Sequence, residues 1–157
     1  SMFHSQGEYE KAEAFYRRSI TGNEITLGRE HPTTLIAVGN LALTMSDIGK
    51  YQEAEVLYSR ALNVQNVTLG KNHPDTLLTI NNLGLLFHNK GDYEKAEEFY
   101  MRSIKGNEIT LGKEHPTTLI AIGNLAELYK DSGNNQKAIE YFDILINLNE
   151  RASGQEG

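Results

Sequence analysis

Cysteine and tryptophan are absent from the 157 residues, and proline occurs only three times. Without cysteine there is no disulfide framework, no thiol nucleophile and no thiolate metal site, a usage that fits a reducing compartment. A basic excess is missing too. Fifteen Lys and Arg stand against twenty-one Asp and Glu, a formal net charge of −6, so the chain has no electrostatic footprint for nucleic acid or an anionic membrane. No apolar run approaches the roughly 20 residues that span a bilayer, and no basic segment followed by an apolar one opens the chain. Gly-rich phosphate loops are lacking as well, because the glycines occur singly. These absences lead to the expectation of a soluble, cytoplasmic protein with no nucleic-acid or membrane partner.

What the chain does have is a period. Leu69, Gly70, His73 and Pro74 recur as Leu27, Gly28, His31 and Pro32, and again as Leu111, Gly112, His115 and Pro116, so the repeat is 42 residues (73 − 31 = 115 − 73). A second set of glycines, Gly7, Gly49, Gly91 and Gly133, keeps the same step. A period of this size belongs to stacked supersecondary units, none of which buries its apolar face alone. After Gly49 the residues Tyr51, Ala54, Tyr58, Ala61, Leu62 and Leu69 fall on one face at 3.6 residues per turn, and the same face returns one unit later from Tyr93 to Leu111. Gly28, Gly70 and Gly112 follow the last apolar residue, where a left-handed helix stop costs glycine least. Pro32, Pro74 and Pro116 suit the first position of the next helix.

That next helix carries Leu35, Val38, Leu41, Ala42 and Met45 on one face, with Leu77, Ile80, Leu83, Gly84 and Phe87, then Leu119, Ile122, Leu125, Ala126 and Tyr129, as its later copies. Small residues at Ala42, Gly84 and Ala126, facing Ala54, Ala96 and Ala138, predict a close crossing of the two helices in each pair. The pattern predicts seven helices, at about 8 to 27, 33 to 47, 50 to 69, 75 to 89, 92 to 111, 117 to 131 and 134 to 149, and no strand. Phe3-His4 matches Phe87-His88, so the chain is expected to open inside a helix. Residues 7 to 42 match 91 to 126 at 30 of 36 positions but match 49 to 84 at 15, which makes the duplicated unit 84 residues long.

A helix pair with small residues at its crossing and a Gly-x-Tyr-x-x-Ala-x-x-x-Tyr signature resembles the tetratricopeptide repeat. The longer period, with Asn40-Leu41-Ala42 in the first helix, Ala54-Glu55 to Leu62 in the second and Leu69 to Pro74 between units, is similar to the repeat of kinesin light chains. The resemblance runs from residue 7 to about residue 146. It implies an all-α, right-handed superhelical α-solenoid of stacked antiparallel helix pairs. Residues 1–150 are expected to form a single array, with a partial repeat at 1–30, repeats at 31–72, 73–114 and 115–150, and a polar tail at 151–157. The implied function is a protein-interaction scaffold or adaptor. A kinesin light chain-like cargo adaptor is the near alternative, and a spacer or self-assembly segment of a longer array is another.

Chemistry is weighed against this background. Five histidines invite a metal or catalytic role, but His31, His73 and His115 are repeat equivalents beside a helix start, where a ring nitrogen can accept from an exposed backbone N–H. Successive layers would hold them roughly 10 Å apart, too far for one ion with ligands at about 2 Å. His4 and His88 are likewise equivalents. No catalytic residue, metal site or cofactor is expected, and the chain is read as no enzyme.

In the family it resembles, the inner surface is lined by the first helix of each pair. The candidates there are Ile36, Asn40 and Leu43; Leu78, Asn81, Asn82, Leu85 and Asn89; and Ile120, Asn124 and Glu127. Asn40, Asn82 and Asn124 stand one period apart, and such amides either bond the backbone of an extended peptide or bond neighbouring helices. Gly39 and Gly123 each cost about 1 kcal/mol of helix stability against Ala, a hint that something approaches closely. Head-to-tail self-association is also expected, because the first helix lacks its pair and the last is apolar most of the way round, through Ile139, Tyr141, Phe142, Ile144, Leu145, Ile146 and Leu148.

Overall fold

The computed structural model describes the backbone of residues 2–155 and the side chains of residues 5–154, so the side chains of Phe3 and His4 lie outside it. Among the described residues there are seven α-helices and no strand: α1 (Met2–Thr26), α2 (Pro32–Asp47), α3 (Tyr51–Thr68), α4 (Pro74–Lys90), α5 (Tyr93–Thr110), α6 (Pro116–Asp131) and α7 (Asn135–Gln155). They form two compact units, Ser1–Thr68 with α1 to α3 and Leu69–Gly157 with α4 to α7.

Helix starts and stops follow the local chemistry. His31, His73 and His115 are the N-caps of α2, α4 and α6, each accepting through Nδ1 from the backbone N–H two residues on, at 3.1, 3.1 and 3.2 Å. The prolines that follow occupy positions whose N–H would be orphaned in any case. α4 closes on Gly91, whose φ of 90° is left-handed. The N–H of Asp92 then donates to the Phe87 carbonyl at 2.9 Å, and the chain turns straight into α5. At the junction between pairs, Thr34 and Thr118 donate their hydroxyls to the carbonyls of Gly28 and Gly112, both at 2.8 Å.

The two outer helices differ from expectation. α1 starts at Met2 rather than near residue 8 and runs through Gly7, which is not left-handed, unlike Gly49, Gly91 and Gly133. Elsewhere the turn is held by packing between the helices that flank it. One glycine, at about 1 kcal/mol, is too weak to break a helix alone. α7 passes its expected end near 149 and continues to Gln155, through Gly154, which is not left-handed.

In the first unit α2 packs against both α1 and α3. Its Val38, Leu41, Ala42 and Met45 are at most 1% exposed, beside Ala54 and Tyr58 of α3. In the second unit α4 pairs with α5, α6 packs on α5 and pairs with α7. Leu83 and Phe87 of α4 and Leu125 and Tyr129 of α6 are buried, as the 3.6-residue spacing predicts. The α4–α5 crossing is as close as the small residues imply. A Cβ on Gly84 would stand 2.6 Å from Cδ1 of Tyr100, a ring with no exposure. One step along, Phe87 stacks on Phe99 with ring centroids 5.5 Å apart.

Two predictions follow from this core. Gly84→Ala gains about 1 kcal/mol of helix propensity but drives a methyl into Tyr100, where overpacking costs about 1–3 kcal/mol, so the net effect is a lower denaturation midpoint. Gly39→Ala meets nothing within 4 Å and is expected to raise the midpoint by up to about 1 kcal/mol. Equal signs for the two substitutions in urea titrations would contradict this packing. The second prediction concerns Tyr58, Tyr100 and Tyr129, whose hydroxyls are raised above the usual 10.0, chiefly because burial disfavours the phenolate. The unfolded chain ionises near pH 10 while these three do not, so the stability they contribute is complete below about pH 10 and is lost as pH rises further. Absorbance titration should show the three ionising only together with loss of helical ellipticity. Their titration in a chain that is still folded near pH 10 would refute it.

Candidate protein-binding face

The first helix of each pair has one face against its neighbours and one left over. Its position is set by the His–Pro start, which aims each helix out of the same kind of turn. The leftover face carries apolar residues. Ile36, Leu78 and Ile120, one period apart, are 64%, 60% and 63% exposed. Leu43 is exposed and Leu85 half-buried, while Glu127 takes the same position on α6 and is exposed.

The asparagines divide. In the second unit Asn124 donates its amide to Oδ1 of Asn81 at 3.2 Å, so this pair ties α6 to α4. Asn82 is half-buried, and Asn40 and Asn89 are exposed. Asn40 and Asn82 make no side-chain hydrogen bond among the described residues. The evenly spaced amides are therefore not equivalent: one is spent on the fold. Gly39 and Gly123 have no internal contact that requires them. A Cβ at Gly39 meets nothing, and at Gly123 it would meet Leu145 Cδ2 at an ordinary 3.6 Å.

Two of the acids on this face already have partners. Asp131 lies 2.7 Å from Nε2 of His88, whose Nδ1 is 3.3 Å from the Tyr100 hydroxyl. In a neutral ring Nε2–H donates to the carboxylate and the tyrosine hydroxyl donates to Nδ1, which binds α4, α5 and α6 together. Glu127 pairs with Lys130 at 3.9 Å. In the first unit Asp47 has its carboxyl raised by partial burial.

Sequence reasoning took His88 only as a repeat equivalent and missed this clamp. The signal lay in the spacing: His88 to Asp131 and Asn81 to Asn124 are both 43 residues, one more than the period. Among the described residues no group of three or more His, Asp or Glu is placed to hold a metal ion, and no helix is long and apolar enough to cross a membrane.

Comparison with known proteins extends the picture. The profile of the tetratricopeptide repeat family matches residues 1–66, 40–108 and 89–148. A search of curated proteins returns no match. Among solved structures, a protein of Podosopora anserina assigned as a kinesin light chain, with nearly identical TPR-like repeats, is 26% identical, with a TM-score of 0.78 over 99% of this chain and 72% of its own. A variant of it gives 0.80 at the same identity and coverage. The BtubC (BKLC) protein of P. vanneervenii, 24% identical, shares the fold with a TM-score of 0.85 over 94% of this chain and 59% of its own. With three overlapping profile matches covering nearly all of its length, the chain belongs to the tetratricopeptide repeat family, in the 42-residue form similar to that of kinesin light chains.

Proposed function

We propose that the chain is a non-catalytic protein-interaction scaffold that holds an extended peptide segment of a partner along the open face of the first helices. The observation that carries this is the recurrence, one period apart, of Ile36, Leu78 and Ile120, which are about two-thirds exposed. Apolar contacts from these residues and from Leu43 and Leu85 would sit beside Asn40, Asn82 and Asn89, whose amides supply both donor and acceptor to a peptide backbone. Gly39 and Gly123 leave room for that backbone to come close. Because Asp131 and Glu127 are already paired and no unpaired cation accompanies them on the face among the described residues, a neutral or basic segment with small apolar side chains suits it better than an acidic one. The reading includes a cytoplasmic location, supported by the lack of cysteine. A kinesin light chain-like cargo adaptor is the second reading, supported by the likeness to the Podosopora anserina structures.

Peptide titration tests it. Neutral or basic extended peptides are expected to bind at micromolar Kd, about −8 kcal/mol, since a disordered segment loses entropy on docking. Leu78→Glu should weaken binding about tenfold or more, and Asn82→Ala by a smaller factor. Tighter binding of acidic peptides at low salt, or indifference to Leu78→Glu, would reject the proposal.

A further inference from the structure

In the second unit a cavity of about 180 Å³ opens between the turn before α4 and the C-terminal half of α5, and it shares no residue with the peptide face. Lys71 and Asn72 of that turn line it, with Arg102, Lys105 and Ile109 of α5, over Ile80 and Gly106. No acid does. Lys71, Arg102 and Lys105 are exposed, and among the described residues none of them makes an ion pair. Glu98 and Glu108, one turn from Arg102 and Lys105 on α5, thus form no pair with them. Arg102 lies over the Phe99 ring, 5.6 Å from its centroid, a contact that leaves its N–H groups free to donate. Asn72 is half-buried, and its amide is likewise without a hydrogen bond among the described residues. Its Oδ1 would stand 3.2 Å from a Cβ on Gly106, so the glycine lets this amide settle against α5. The other repeats hold no such set of charges. Arg60, the equivalent of Arg102, is neutralised by Glu24 at 2.6 Å and also donates to the Arg29 carbonyl at 3.3 Å. The acids Glu30 and Glu114, which follow Arg29 and Lys113, give way to Asn72 after Lys71, and Lys105 stands where Thr21 and Asn63 are uncharged.

We propose that this cavity binds the phosphoryl group of a phosphorylated side chain in a partner protein. A phosphoryl group brings three acceptor oxygens and a charge of about −1.5 to −2 at neutral pH. Three cations and one amide donor answer both, whereas a single carboxylate would leave most of the positive charge uncompensated. A nucleotide fits less well, because no aromatic ring lines the cavity to stack a base. Ile109, 66% exposed at its edge, instead offers apolar contact to the chain that flanks a phosphorylated residue. In a chain of net charge −6, cations gathered at one cavity give a local site for one anionic group, not a basic stripe of the kind that follows a nucleic-acid backbone.

The probe is a short capped alanine peptide carrying one phosphoserine, titrated into the full chain while backbone amide resonances are followed. Saturable shifts are expected at Lys71, Asn72, Lys105 and Gly106, with a Kd of about 0.1–1 mM that weakens several-fold between about 50 and 200 mM salt. Lys105→Gln and Arg102→Gln should each weaken binding about fivefold or more, Lys105→Arg should retain it, and Lys113→Gln, at the equivalent of Lys71, should leave it unchanged. The same peptide without phosphate should not bind, and inorganic phosphate should bind more weakly than the phosphopeptide. No saturation by about 10 mM, equal weakening by Lys113→Gln, or equal affinity for inorganic phosphate or for the unphosphorylated peptide would overturn the proposal. Phosphatidylserine vesicles that bind the chain through Arg102 and Lys105 while the phosphopeptide does not would also overturn it, by assigning the cations to a lipid surface.

Discussion

Each second helix of a pair has two apolar faces to bury, and only one of them is covered by its own partner. Phe99 of α5 stacks on Phe87 of the paired α4, whereas Phe15, its equivalent on α1, is 64% exposed among the described residues. Ile104 and Ile20 are covered from the other side, by the first helix that follows. Fully burying one such side chain is worth roughly 1.5–3 kcal/mol. A helix pair standing alone thus leaves several kcal/mol unrealised, which is why a sequence of this kind repeats and why a single pair is no domain.

Polar groups refine this arrangement rather than create it. Arg17 holds Glu13 and reaches Glu53 at 3.1 Å in the first unit, and the Arg17 hydrogen bond is the main reason the Glu13 carboxyl is lowered. Exposed pairs of this kind contribute about 0–1 kcal/mol each. The His88 clamp is different in kind. Its ring is largely buried and bonded at both nitrogens, so it selects one alignment of three helices, where apolar burial alone would accept small slides.

Much of the fold was legible in the sequence because its signals are local. A glycine stop, a histidine cap and a proline start lie within five residues of one another, and the 3.6-residue faces need only one helix to be seen. The ends of α1 and α7 were misjudged for the complementary reason: a lone glycine, Gly7 in α1 or Gly154 in α7, does not break a helix without packing that holds the turn. The candidate site was legible in part. Ile36, Leu78 and Ile120 were found as a face, but Asn124 turned out to be engaged by Asn81. Contacts between successive first helices join the side of one helix that faces forward to the side of the next that faces back, and those sides are one residue out of phase. A comparison at 42 residues finds equivalent positions; contacts stand at 43. A search at the period alone therefore passes over that offset, although polar pairs spaced at 43 do carry it.

Hydrogen exchange tests most directly the claim that the following helix buries its predecessor. The measurement compares α5 amides in the full chain with those in a chain ending at Glu114, which keeps α4 and α5 but lacks α6. The account predicts that protection around Tyr100, Ser103, Ile104 and Asn107, all under 9% exposed in the full chain, falls sharply once α6 is gone. Unchanged protection there would mean that a helix pair is stable without its neighbour, and would contradict the account at its base.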